Sequence, residues 1–209
     1  MYCLLKNNSW LKKVQLPAIY TIFCLAFTPF AYSQVNPTPA AERMQSMEQR
    51  RKLESNSLLK EVPFRNIGPS IMSGRVVDID ANPDDPTEFY VAYATGGLWH
   101  TTNNGQSFTP IMDSLDMLFI GDIAVNWATK TIWLGSGEVN SSRSSYAGVG
   151  MYKSMNNGKT WEYLGLPESH HIGKIQLHPT DNNIAWVAAL GHLYSANKER
   201  GIYKTADGG

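Results

Sequence analysis

A few side chains able to do chemistry stand outside everything that repeats in this sequence: Arg75, Glu138, Asn140, Arg143, the adjacent His170 and His171, and His192. Glu138 is a loop carboxylate with no second acid evidently beside it. Bond hydrolysis by a carboxylate pair needs the two groups about 5–10 Å apart, so Glu138 alone is half of such a mechanism. The arginines could grip a ligand's carboxylate through two parallel hydrogen bonds. Equally, Glu138 and Arg143 could form a surface ion pair worth about 0–1 kcal/mol. Two neighbouring histidines cannot easily chelate one ion, and no third ligand follows at metal spacing, so neither metal nor cofactor is expected. The candidate ligand contacts are therefore Arg75, Glu138, Asn140, Arg143, His171 and His192.

These residues are set apart by subtraction of a repeat. The stretches Gly97 to Phe108, Gly150 to Trp161 and Gly201 to Gly209 share one order: aromatic, basic residue or His, Ser/Thr, any residue, Asn/Asp, any residue, Gly. Its members are Thr101, Asn103, Gly105 and Phe108; Ser154, Asn156, Gly158 and Trp161; and Thr205, Asp207 and Gly209. The closing glycines are 53 and 51 residues apart, a period that marks a repeat architecture. Each stretch reads as a locked turn between two strands. Asn103, Asn156 and Asp207 are expected to bond backbone N–H groups two residues on, and Gly105, Gly158 and Gly209 to supply positive φ. Phe108 and Trp161 are expected to pin their turns to the core.

Ahead of each turn lies a hairpin. Its first strands are read at 76–81, 122–125 and 174–177, and its second at 89–94, 132–135 and 184–189. Asp84 and Asp85 fall where residues 178–183 fall in another repeat, so they read as turn formers and not as a calcium site or a catalytic pair. A third strand leads into each locked turn and a fourth leaves it.

This pattern resembles the Asp box of bacterial-neuraminidase-type repeats, found in sialidases, xyloglucan-cleaving propeller enzymes and the luminal domain of sortilin-type receptors. Two of the three boxes carry Asn where that family prefers Asp. Residues 61–209, through the stretches Gly135 to Asn140 and Glu199 to Gly209, are also similar to large exported proteins described as sortilin-like or glycosyl-hydrolase-like. The resemblance implies an all-β fold, a β-propeller with box turns on its rim. A propeller needs roughly four to eight blades. The sequence stops before the fourth strand of its third repeat, so a partial β-propeller of somewhat less than three four-stranded antiparallel blades is expected, with the remaining blades on a longer chain. Residues 61–67 would then be an isolated fourth strand that completes the last blade. In propellers the second-to-third-strand loops (here 135–148 and 190–201) share one face with the inter-blade connections (65–75 and 165–173).

Composition narrows the partners. The chain has 209 residues, a formal net charge of +0 and 11% aromatics, which points to a globular protein and away from nucleic acid. Residues 1–33 read as a secretion signal: Lys6, Lys12 and Lys13 precede an apolar run from Leu16 to Phe30, closed by Ala31-Tyr32-Ser33. Cleavage is expected near Ser33–Gln34. The run is interrupted by Pro17 and Pro29 and is shorter than the roughly 20 residues of a membrane span, so no transmembrane segment is expected in the mature chain. Cys3 and Cys24 would leave with the signal, removing thiol chemistry and disulfides. Residues 34–60 read as a polar tether with one solvated helix, whose apolar stripe of Met44, Met47 and Leu53 is thin.

Two functions compete. One is a secreted, non-catalytic scaffold that binds a peptide or carbohydrate ligand, as the resemblance to sortilin-type domains implies. The alternative is a glycoside hydrolase, sialidase- or xyloglucanase-like, whose remaining catalytic residues lie beyond residue 209. Phe64-Arg65-Asn66-Ile67 is superficially similar to the amino-terminal arginine motif of sialidases but lacks the proline that follows it there. Binding is the preferred reading, and the chain by itself is expected to be inactive.

Overall fold

The computed structural model describes residues 36–63, 74–141 and 145–209. The segment read as a secretion signal, most of the strand read at 61–67, and Arg143 lie outside the described residues. All that is described belongs to one compact unit, Asn36–Gly209. No helix among the described residues is long and apolar enough to cross a membrane.

Among the described residues, eleven strands form three antiparallel meanders. The first sheet holds β1 (Val76–Ala81), β2 (Phe89–Tyr93), β3 (Gly97–Thr101) and the short β4 (Thr109–Pro110). The second holds β5 (Ile120–Asn126), β6 (Thr131–Ser136), β7 (Met151–Ser154) and β8 (Glu162–Gly165), and the third β9 (Ile172–Leu177), β10 (Ala185–Ala189) and β11 (Gly201–Thr205). Within each sheet, strands pair in chain order. The first strands of successive sheets, β1, β5 and β9, pack beside one another. This is a partial β-propeller with two four-stranded blades and a third blade of three described strands. The strand readings hold to within two residues at their ends, β5 and β9 each beginning two residues earlier than read. A bulge between Ile120 and Asp122 lets the extra residue join without reversing the faces.

The blades stack through alternating side chains. On β6, Ile132 and Leu134 join a core with Tyr90, Ala92 and Leu98 of the first blade, while Trp133 between them joins Ile172, Ile175 and Val187 of the third. Both faces of β6 are thus buried, which is why it reads as an unbroken apolar run. The same pairing explains the basic residue in the repeated motif. Trp133 lies opposite Lys153 and Trp186 opposite Lys204 in register, and each ammonium sits over its ring, at 4.6 and 5.5 Å. In the first blade His100 stacks on Tyr90 with centroids 4.5 Å apart. These are cross-strand cation–π and stacking pairs.

The locked turns have a wiring that differs in detail from the sequence reading. Thr101 Oγ1, Ser154 Oγ and Thr205 Oγ1, rather than the Asn or Asp side chains, take the amides of Gly105, Gly158 and Gly209, at 3.1, 2.8 and 3.0 Å. Asn103 and Asn156 reach four residues on, to the amides of Ser107 and Thr160; only Asp207 also approaches the amide two on, at 3.4 Å. The hydroxyl is nearer the glycine because positive φ at Asn104 and Gly105, and at Asn157 and Gly158, curls the chain back over it. Phe108 packs edge-on against Phe89. Trp161 donates to the Ile111 carbonyl at 3.0 Å, tying the second blade's turn to the first. Asp84 and Asp85 are turn formers as read: the Asp84 amide donates to Asn82 and the Thr87 amide to Asp85.

The sequence reading overlooked one interblade device. Asp78, on β1, accepts the amide of Ile123 at 3.4 Å, and Asp122, at the equivalent place on β5, accepts the amide of Ile175 at 2.7 Å. Each acid satisfies an inner-strand donor that the next blade's bulged edge would otherwise leave bare. Burial pushes the Asp122 carboxyl up to about 6, although the Lys174 ammonium and the Ile175 amide pull it down. A carboxyl that holds its proton more tightly folded than unfolded makes stability fall as pH rises, here from about 4 to about 6. The stability advantage of wild type over Asp122→Asn should therefore shrink across that window and level off above it, as thermal melts from pH 4 to 8 would read. An advantage that grows with pH would show that the pair with Lys174 dominates instead.

Helix α1 (Ala40–Ser55) is exposed along most of its length but is docked rather than freely solvated. Its attachments are Arg43, discussed below, Arg51 paired with Asp116, and Met47 against the first core. The apolar stripe is thin; partly buried polar contacts at the first turn replace it.

Candidate functional site

Arg75 immediately precedes β1 and Asn82 follows it, so the two ends of the inner strands define two faces of the arc. The long loops gather on the Arg75 face. Gly148 donates its amide to the His170 carbonyl at 2.7 Å, and Leu190 donates to His171 at 2.8 Å, so the insertion at 135–148, the connection at 165–173 and the loop after β10 are stitched together. The root of the first insertion is clamped by Ser136, whose buried hydroxyl donates to Gly150 O and accepts from the amides of Val149 and Gly150.

Glu138 is wholly buried. Arg75 donates to its Oε1 through Nε at 2.8 Å and through Nη2, while Oε2 has no hydrogen-bond partner. The expectation of an unpaired loop carboxylate facing the ligand is thus corrected. Its partner is Arg75 of the first blade, and the pair fixes one blade to the next. Arg75 itself is half exposed, with 44% of its side chain accessible, and is the member of the pair that reaches solvent.

His171 is buried beside Glu138. Burial lowers its pKa, against a hydrogen bond from the ring to the Glu138 backbone that raises it. His170 is lowered further, to about 3, by burial first and then by the nearby Arg43, His192 and His171. It is an uncharged imidazole at neutral pH. Its backbone is unusual: φ is 52° and ψ −50°, and the His171 amide donates to the Ser169 carbonyl across it. That is a γ-turn of the rarer, strained hand, costing on the order of 1–3 kcal/mol. The turn aims the ring at His192, with centroids 4.2 Å apart and the planes near perpendicular.

Two residues that the sequence reading passed over complete the cluster. Glu168, on the 3-10 turn Pro167–Ser169, accepts the amide of Ala40 at 2.8 Å. It serves as the missing cap of α1, whose own N-cap residue is Pro39, and its charge suits the positive end of a helix. Arg43 reaches from the same turn of α1 to the carbonyls of Gly148 and Pro167 and lies 3.5 Å from Glu168 Oε2. Burial lowers its pKa, against the raising effect of Glu168. The reading that no third ligand stands near the histidine pair is also corrected, since folding brings Glu168 and His192 to His170.

The structure thus unites Arg75, Glu138 and His171 in one group and His192 with His170 in an adjoining one. Asn140 is exposed and makes no hydrogen bond or ion pair to either. An apolar cleft of about 170 Å³ lies elsewhere, in the seam between the second and third blades, lined by Trp133, Leu164, Val187 and Tyr203 among others. It has little polar chemistry to offer.

No family model matches the chain, and no curated protein does. Among solved structures, the chain is similar to an ancestral GH74 enzyme, at 20% identity over 65% of this chain and 18% of that one, with a TM-score of 0.49. It is similar to the GH74 xyloglucanase from Xanthomonas campestris at 20% identity, covering 65% and 20% of the two chains, with a TM-score of 0.45. It is likewise similar to YCF48 bound to D1 peptide at 17% identity, covering 65% and 38%, with a TM-score of 0.43. The chain spans well under half the length of each of these structures. The fold assignment rests on the three meandering sheets and their interblade contacts.

Proposed function

We propose that this chain is part of an exported propeller scaffold that binds a peptide or carbohydrate on the loop face around Arg75 and His192, without catalysing a reaction there. The observation that carries the reading is the burial of Glu138 under Arg75. A carboxylate with one oxygen committed to a guanidinium and the other enclosed cannot protonate a leaving group. What it can do is hold Arg75 in a fixed pose, leaving the guanidinium's outer edge to an anionic or hydroxyl-rich ligand. The three repeated turns support a scaffold role resembling that of Asp boxes, because their polar side chains are consumed within the turns.

The protein incubated with xyloglucan or a sialoside should release no product, and Glu138→Gln should leave that result unchanged. On glycan and peptide arrays, wild type should bind a restricted set of ligands, and His192→Ala should lose it. Turnover that vanishes in Glu138→Gln would overturn the reading in favour of a hydrolase. Export is tested separately: the protein recovered from the medium or cell envelope of a producing bacterium should begin at Gln34 by amino-terminal sequencing.

A further inference from the structure

We propose that Glu168, His170 and His192 form a binding site for a divalent transition metal ion, with zinc the best fit. One ligand atom from each residue lies within 4.8 Å of the others. The buried His170 Nε2 has no hydrogen-bond partner and stands 3.5 Å from Glu168 Oε2. A buried imidazole nitrogen left bare costs free energy, and a metal ion is a partner that would satisfy it.

The surroundings already orient the other two ligands as outer-sphere groups do in metal sites. Glu168 Oε1 is occupied by the Ala40 amide at 2.8 Å, which turns Oε2 toward the histidines. His192 Nδ1 faces the Ser195 hydroxyl at 3.1 Å, leaving the other ring nitrogen for a ligand. Two imidazoles and one carboxylate suit zinc better than calcium or magnesium, which take oxygen ligands. Three protein ligands would leave a fourth position open, as in zinc sites that bind water or a ligand group.

Size sets what must move. Tetrahedral zinc with bonds of about 2.1 Å spaces its ligand atoms about 3.4 Å apart, so the site must contract by up to roughly 1.4 Å. His170 is fixed by its γ-turn, whereas Glu168 and His192 are only partly buried and sit on a 3-10 turn and a loop that can close on it. Arg43, 3.5 Å from Glu168 Oε2, opposes the incoming charge and weakens the site.

The test uses the full chain, stripped with a chelator and titrated with zinc(II) against a chromophoric competitor. Wild type should bind one equivalent at this site, and cobalt(II) should give the intense visible absorption of a four-coordinate ion. Glu168→Gln and His192→Ala should each weaken zinc binding at least tenfold while the far-ultraviolet circular dichroism stays that of wild type; His100→Ala, a histidine of the first blade, should not. The proposal is overturned if folded wild type binds no zinc, or if binding survives undiminished in both variants, as it would if Cys3 and Cys24 held the metal.

Discussion

Gly121→Ala should destabilise the protein by about 3 kcal/mol or more, near the top of the range for single substitutions. Gly121 sits in the bulge of β5 where three stretches of backbone converge. A Cβ built there would lie 1.9 Å from the Ile172 carbonyl oxygen and 2.5 Å from that of Gly137. Neither obstacle is the free end of a side chain. Ile172 begins β9 and pairs with Ala189, and the Gly137 amide donates to the Phe119 carbonyl, so relief requires parting the second and third blades at the loop face. Gly201→Ala is the control. Nothing lies within 4 Å of its added Cβ and its φ is not positive, so the change should be within about 0.5 kcal/mol. Urea midpoints read both. Equal midpoints for the two variants would mean that the blades are not in contact at Gly121.

Arg75→Ala should cost about 3 kcal/mol. Removing one member of a buried pair strands the other charge, at roughly 3–5 kcal/mol; the lower end applies because Arg75 is 44% exposed and water screens part of the interaction. Glu138→Gln should be milder, since the amide removes the charge that needs the guanidinium. The double variant should therefore be more stable than Arg75→Ala alone, a coupling that a double-mutant cycle measures. If Arg75→Ala melts with wild type, the pair is a surface contact of the 0–1 kcal/mol kind and Glu138 is free for another role. The same variant should abolish ligand capture on the arrays, because Arg75 is the cation that the pair presents.

The sequence by itself determined the repeat, and through it the fold. Spacing of 53 and 51 residues between closing glycines, with the next hairpin following each glycine at a near-constant distance, is local information: turn chemistry and period-two burial act over a few residues. For that reason the strand positions and the turn roles of Asp84 and Asp85 were readable from the sequence, whereas the expectation that the long loops share one face came with the resemblance to propellers. Partners across strands and blades were not readable. Lys153 and Trp133 could each be read as motif members, but only strand register puts the ammonium over the ring. Asp122 reads as an ordinary strand-end acid until the Ile175 amide of the next blade meets it. Glu138 stands outside the repeat, but its burial depends on Arg75, 63 residues away, and loop length gives no measure of enclosure. Glu168 and Arg43 were passed over because one is adjacent to a proline on a connection and the other lies in a polar helix. Docking of that helix's first turn brings Arg43 to Glu168, and the loop after β10 brings His192 to Glu168 and His170. Side-chain contacts between distant segments are set by how blades stack, a geometric consequence of the whole core, and no short stretch of chain encodes it.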